Sequence, residues 1–85
     1  MSKEEILFVL KGELLLNLPL SYSDVFLNTD SVRFLGHGKE NWEIKYEPQK
    51  GATTVLQVYL NTKHVRGFKT TDQVISYFYA IESAR

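Results

Sequence analysis

The spacing of apolar residues changes twice along this chain, and these changes limit the folds open to it. Apolar residues recur at helical spacing near the amino end, alternate with polar residues from Ser31 onward, and return to helical spacing near the carboxyl end. The clearest alternation involves Trp42, Ile44 and Tyr46, each followed by a charged residue. Alternating side chains point to opposite faces of a strand. The pattern therefore predicts a sheet between two helices.

Both predicted helices begin at a capping box, in which a hydroxyl residue is followed three positions later by Glu or Gln. Ser2 and Glu5 begin the first helix, predicted from about Lys3 to Leu16, and Thr70 and Gln73 begin the second. The predicted apolar faces are Ile6, Leu7, Leu10 and Leu14 in the first helix and Val74, Tyr77, Phe78 and Ile81 in the second.

The first helix contains one unfavourable residue and has an alternative at its end. Gly12 in its middle costs about 1 kcal/mol relative to alanine, and the leucine-rich residues 14–16 are also compatible with a strand. Pro19 prevents the helix from continuing, because the residue before a proline avoids the helical region. Residues 18–20 are therefore predicted to be a packed connector.

The segment between this connector and the sheet is predicted to be a turn. Ser21 or Ser23 is placed to cap a short turn through residues 24–27, which residues 28–30 close. The first predicted strand then begins at Ser31. Turn residues after it, and again around residues 48–51, separate the second and third strands.

The last hairpin has two possible registers. If Thr62 and Lys63 form a two-residue loop, Leu60 faces Val65 on the core side. Neither loop residue favours the positive φ that such tight turns require, so a longer loop with a shifted register is the alternative. In the first register Gly67 lies on the core face, where its missing side chain lets the last helix approach.

Together these elements predict a single small α+β domain over residues 1–85. The sheet is antiparallel with three to four strands, the N-terminal and C-terminal helices lie on one face, and the order is α-β-β-β-β-α. The other face is expected to be solvated or to meet a partner. A chain of 85 residues buries about 60% of its unfolded surface, so dimerisation is a plausible further source of burial.

Composition excludes several function classes. The chain has no cysteine, so it has neither disulfides nor thiolate metal sites, and its net charge of zero argues against a surface that binds polyanions everywhere. Its start lacks the basic region of a secretory signal, and the apolar stretch at residues 6–10 is too short to span a membrane. We therefore expect a cytoplasmic protein without membrane contact.

The sequence offers no catalytic or metal-binding signature. It contains two histidines, His37 and His64, and neither has the spacing to a serine nucleophile or a second metal ligand that such sites need. The segment around His37 differs from a phosphate-binding loop because a strand, not a helix, follows it. We expect no enzyme activity, no cofactor and no small-molecule substrate.

The acids of the chain are segregated from one basic segment. Residues 48–71 contain four basic residues and no acid. In the first hairpin register Tyr59 faces Arg66, so aromatic and basic side chains share a sheet face that is able to stack bases and neutralise phosphates. The candidate surface consists of Lys45, Tyr59, Lys63, His64, Arg66, Phe68 and Lys69. The alternative is structural, with Phe68 closing the edge of the core and Tyr59 stacking on Arg66.

Two further groups have alternative interpretations. Glu43 and Glu47 are predicted to be the solvated side of their strand with lysine partners across it, or else to limit a partner's footprint by repelling phosphate. Tyr77 and Tyr79 of the last helix form either part of a protein interface or a rim with hydroxyl groups in water.

These observations favour a small non-enzymatic binding module that acts through protein contacts, as a regulator, adaptor or homodimeric accessory protein. A nucleic-acid-binding module that uses the basic hairpin at residues 59–69 is the alternative. In outline, residues 31–82 resemble the three-stranded sheet and helix of AP2-type and integrase arm-binding DNA domains. The chain departs from that pattern through an added strand segment and a neutral charge, so the resemblance assigns no residue roles.

Overall fold

The described part of the chain contains two helices and five strands. The structure is a computed structural model that describes residues 2–17, 23–36, 38–48, 50–51 and 53–84. The helices are α1 (Lys3–Asn17) and α2 (Thr71–Ser83), and the strands are β1 (Ser23–Leu27), β2 (Ser31–Leu35), β3 (Asn41–Tyr46), β4 (Leu56–Leu60) and β5 (Lys63–Phe68). The predicted α+β class is confirmed, and the sheet has five strands where three to four were expected.

The five strands form one antiparallel sheet in which each strand pairs with the next along the chain. Both helices pack on one face of the sheet, which we call the helix face, and the opposite side is the open face. α1 lies over β1 and β2, while α2 packs beside α1 and contacts β5. The core between these layers consists of Leu7, Leu10, Leu14, Val32, Phe34, Trp42, Ile44, Leu56, Val58, Phe68, Val74 and Phe78.

Phe78 is the centre of this core. It is fully buried, and its ring lies 5.2 Å from that of Phe34 and 4.9 Å from that of Trp42, in edge-to-face arrangements. Aromatic pairs prefer this geometry because the positive ring edge meets the negative ring face. The predicted apolar faces of both helices are confirmed, because all of their residues belong to this core or pack against it.

The hydroxyl half of each predicted capping box forms. The Ser2 hydroxyl accepts a hydrogen bond from the Glu5 amide at 3.2 Å and the Thr70 hydroxyl accepts one from the Gln73 amide at 3.2 Å, while the Gln73 side chain accepts from the Lys69 amide. α1 continues through residues 14–16, so the helical interpretation of that segment is confirmed over the strand alternative. The predicted connector at residues 18–20 and the possible cap at Ser21 lie outside the described residues.

The turn predicted over residues 24–27 is instead part of strand β1. Phe26 pairs with Arg33 of β2, so the tertiary pairing with β2 outweighs the local turn tendency of the segment. The turn signals at residues 28–30 close the hairpin between the two strands. Lys3 of α1 forms an ion pair of 2.6 Å with Asp30 of this turn, which ties the start of the helix to the sheet and raises the pKa of Lys3.

The first of the two predicted registers of the last hairpin is wrong by one loop position, and the alternative of a longer loop is wrong as well, because the loop has two residues. The loop residues are Asn61 and Thr62, with φ angles of 49° and 72°, and Leu60 pairs with Lys63 rather than Val65. Positive φ at both loop positions is characteristic of the type I′ turn, which matches the twist of the strands, and Asn tolerates it well. The β4–β5 pairing then shifts between Val58 and Tyr59, and a bulge leaves Val65 without a paired residue.

Gly67 lies on the open face, not on the core face as predicted. It pairs with Gln57, which is 2% exposed although it projects from the open side of the sheet. A Cβ atom on Gly67 would lie 2.6 Å from Oε1 of Gln57, and that oxygen is 2.8 Å from Nε2 of His64. The missing side chain therefore makes room for the Gln57 amide, which also donates to Thr54 at 3.3 Å.

This contact predicts a strong coupling between residues 57 and 67. Gly67→Ala should lower the free energy of unfolding by about 1–2 kcal/mol, because the new methyl group displaces a buried, hydrogen-bonded amide. In a Gln57→Ala background the same change should cost much less, because the nearest remaining neighbour of the new Cβ is Oγ1 of Thr54 at 3.1 Å, and the lower entropy of the unfolded chain offsets part of that cost. Urea denaturation of the four proteins measures the coupling, and additive losses would contradict the proposed contact.

Candidate functional site

The bulge in β5 divides the predicted binding residues between the two faces of the sheet. His64, before the bulge, lies opposite Tyr59 on the open face, with ring centroids 5.3 Å apart. Arg66 and Phe68, after the bulge, pair with core residues of β4 and so lie on the helix face. The prediction that these four residues share one sheet face, with Tyr59 opposite Arg66, is therefore wrong.

The aromatic and charged residues on the open face contact one another. The Lys45 ammonium lies 4.9 Å from the centre of the Tyr59 ring, and the Tyr59 hydroxyl donates a 2.5 Å hydrogen bond to Glu47. The cation that stacks on Tyr59 is thus Lys45, not Arg66. These contacts, together with His64, surround the Tyr59 ring, which leaves little of it for stacking on a ligand.

Glu43 of β3 and Glu47, which follows the end of β3, have different partners from those predicted. Glu43 accepts a 2.9 Å hydrogen bond from the Ser31 hydroxyl and lies 4.0 Å from the Arg33 guanidinium, while Glu47 is bonded to Tyr59. In the described part of the chain neither carboxylate forms an ion pair with a lysine across the sheet. They act as hydrogen-bond acceptors that order the open face.

The remaining basic residues of the predicted binding surface lie at the free edge of the sheet, within β5 or directly after it. Lys63, Arg66 and Lys69 are exposed, and within the described residues none of them has a carboxylate at ion-pair distance. The Arg66 guanidinium lies 5.4 Å from the ring of Phe68, which is 7% exposed and belongs to the core. The structural interpretation of Phe68 is therefore confirmed, and the exposed positive charge lies along the sheet edge.

The two tyrosines of α2 have different environments. Tyr77 is half-buried, with its ring 5.2 Å from that of Phe68 and 5.4 Å from that of Phe78. It closes the end of the core near β5. Tyr79 is 53% exposed on the outer side of the helix. Of the two, only Tyr79 presents most of its ring to solvent.

A shallow groove lies on the open face between β1 and β3. It has a volume of about 390 Å³, and its walls include Phe26, Arg33, Asn41, Glu43 and Thr62. Its carboxylate is already paired with a hydroxyl and a guanidinium. Across the described ranges there is no group of three His, Cys, Asp or Glu residues placed to hold a metal ion. His37 lies outside the described residues.

Three strongly exposed apolar side chains lie on the outer side of α1, and the sequence did not lead us to predict them as a surface. Phe8, Leu15 and Leu16 are 69%, 59% and 85% exposed. They surround Gly12 at helical spacing, and a Cβ on Gly12 would meet no atom within 4 Å. We call these four residues the α1 stripe. Its exposed area is about 400 Å², given roughly 200 Å² for each large side chain, which is the size at which patches are often functional.

A signal for this stripe was present in the sequence. At 100° per residue, Phe8 and Leu15 point away from Leu7 and Leu10, which lie in the buried face. A helix with apolar residues on two sides needs a second partner for the outer side. The predicted face of this helix was only the one toward the sheet, and residues 14–16 were predicted to end the helix, with a strand as the alternative.

Comparison of the chain with family models, with curated proteins and with solved structures finds no match. Within the described residues no helix is both long and apolar enough to cross a bilayer. The candidate site therefore rests on the geometry of the chain itself, which offers an exposed apolar surface in the α1 stripe and an exposed basic surface at the β5 edge.

The Tyr59–Glu47 hydrogen bond predicts an unusual titration. The bond to Glu47, together with burial and the nearby negative charges, raises the pKa of Tyr59 above its ordinary value of 10.0. The neutral phenol is the stabilised form, so this contribution to stability is present below pH 10.0 and is lost as the pH rises through the folded-state pKa.

Glu47→Gln should therefore lower the Tyr59 pKa, because the amide carries no negative charge. NMR of ring-labelled tyrosine, assigned with Tyr59→Phe, resolves this titration from those of the other tyrosines. Glu13→Gln, on α1, is the matched control and should leave the pKa of Tyr59 unchanged. An equal titration in the wild-type and Glu47→Gln proteins would contradict the hydrogen bond.

Proposed function

We propose that this protein is a non-enzymatic binding module that acts through protein contacts made by the α1 stripe. The observation that carries the proposal is the exposure of Phe8, Leu15 and Leu16 on one side of a helix whose other side already holds the core. Such a module fits the role of a small regulator, adaptor or accessory protein.

The physical argument is the cost of hydrating this stripe. The fold is held by Leu7, Leu10 and Leu14 on the inner side of α1, so the outer side chains contribute little to folding. Burying their exposed parts against a partner contributes about 3–6 kcal/mol, at 1.5–3 kcal/mol for each fully buried side chain. Association costs a comparable amount of free energy, so a surrounding polar rim must supply the rest of the affinity.

A matched pair of variants tests this surface. Leu16→Lys and Tyr79→Lys each add a positive charge in the last turn or two of a helix, where the helix dipole favours it and no basic residue is present. Both proteins should fold, as circular dichroism and thermal unfolding would confirm. Used as bait for affinity capture from cells of the source, Leu16→Lys should retain at least about tenfold less bound protein than wild type, and Tyr79→Lys should retain the same amount.

The capture has a clear negative outcome. Species retained equally by wild type, Leu16→Lys and Tyr79→Lys would place the contact elsewhere and overturn the proposal. Loss with Tyr79→Lys alone would move the contact surface to α2. Mass spectrometry identifies the captured protein. An untagged copy of this chain that the tagged bait retains also counts as a captured partner.

A second candidate function is supported by the β5 edge. Lys63, Arg66 and Lys69 are exposed and lack a carboxylate partner among the described residues, so their positive charge is available to phosphates. Neutralised phosphates release counterions, which makes such binding steeply dependent on salt. Because the aromatic rings near this edge are engaged within the fold, it offers charge without base stacking, and we expect any binding to be weak and independent of sequence.

Fluorescence anisotropy with labelled single- and double-stranded DNA tests this second candidate at low salt and near about 0.2 M salt. Lys63→Ala with Arg66→Ala should weaken binding and reduce the salt slope by about one for each lost phosphate contact. Lys11→Ala, on α1, is the control for charge alone. If the double variant binds as the wild type does, or if no DNA binds at low salt, the β5 edge is not a nucleic-acid surface.

A further inference from the structure

We infer that the partner of the α1 stripe is a second copy of this chain, bound antiparallel so that the two Gly12 residues face each other across a two-fold axis. This inference rests on the proposed function and names the partner for the same surface. It follows from the symmetry of the stripe, from its area and from the charge of the chain.

The stripe is nearly symmetric about Gly12. Phe8 lies four residues before it and Leu16 four residues after it, which is about one helical turn in each direction. Two antiparallel copies that cross at Gly12 therefore place Phe8 of one against Leu16 of the other, twice. An interface of this kind uses the same patch on both copies and closes after two.

Gly12 allows the two helices to approach closely. Apart from its two neighbours and the nearby backbone of its own helix, a Cβ there would meet no atom within 4 Å, so the space outside the partly exposed Gly12 is open. A bulky residue such as leucine in the middle of the stripe would keep the two helices apart, whereas a side chain as small as cysteine would not. The glycine, which is unfavourable within a helix, thus gains a role at the point where the two copies cross.

The area of the stripe matches what a dimer needs. Its exposed apolar area is about 400 Å² per copy, and the apolar share of such interfaces is about 60%. With the polar rim included, each copy then buries about 650 Å² and the pair about 1,300 Å², which lies within the range of specific interfaces. A second copy is thus large enough to cover the stripe.

The charge of the chain favours a second copy over a strongly charged partner. The stripe has no charged residue among its four members, so it offers no ion pair to an acidic or basic protein. The chain has a formal net charge of zero, and two copies therefore approach without net repulsion. A second copy matches the stripe in both respects, because it offers the same uncharged apolar residues and has no net charge.

Sedimentation equilibrium of the purified protein tests the inference. The wild type should change from a mass of 9.8 kDa to twice that mass as its concentration rises. Leu16→Lys should raise the dissociation constant about a hundredfold, because each dimer contains two copies of the residue at about tenfold each. Tyr79→Lys should dimerise as the wild type does.

Cysteine cross-linking tests the geometry, since the chain has no cysteine of its own. Gly12→Cys, in open space on the helix, should form a disulfide-linked dimer under a mild oxidant, because a disulfide needs Cα atoms about 4.4–6.8 Å apart. Ser76→Cys, exposed on α2, is the matched control and should remain largely monomeric.

The outcomes separate this inference from the proposed function. A purified protein that stays monomeric at all concentrations, with no more cross-linking at residue 12 than at residue 76, overturns self-association. If Leu16 is still required for the capture of another protein, the proposed function stands with a different partner. If Leu16 matters in neither experiment, both are overturned. A dimer that Leu16→Lys leaves intact places the dimer contact outside α1 and also overturns the inference.

Discussion

The fold depends on the burial of one sheet face beneath two helices. Phe78 of α2 lies at its centre, with Phe34 and Trp42 of neighbouring strands against its ring. A chain of this size has one such core, and losing a buried phenylalanine costs about 3–5 kcal/mol, a large part of the stability of a small domain. Because the core is filled from one side of the sheet, the opposite sheet face and the outer side of α1 remain free for other contacts.

Local sequence signals predicted the helices and the central strands because caps and apolar spacing within each segment favour these elements. The capping residues Ser2 and Thr70 and the alternation after Ser31 are visible without tertiary knowledge. β1 was missed because its strand identity comes from pairing with β2. The α1 stripe was not predicted, because only the helix face toward the sheet was considered. The sheet-face residues were predicted only in part, because the single residue Val65 in the β5 bulge reverses the faces of the β5 residues after it, and no local pattern indicates such an insertion.

The two sides of α1 differ in burial. Leu7, Leu10 and Leu14 hold the domain together, whereas Phe8 and Leu16 are available for association. A substitution at Leu16 should therefore leave the fold intact, so that a role of this side of the helix can be tested separately from stability. The basic edge of β5 is a different kind of surface, governed by charge and salt rather than by apolar area.

Both outer strands of the sheet are irregular, since the pairing register shifts within β1 as well as within β5. An incoming strand needs an unbroken row of amide and carbonyl groups, and neither border offers one over its full length. Both edges are therefore poor templates for a further strand over their full length, which disfavours the pairing of chains edge to edge into fibrils.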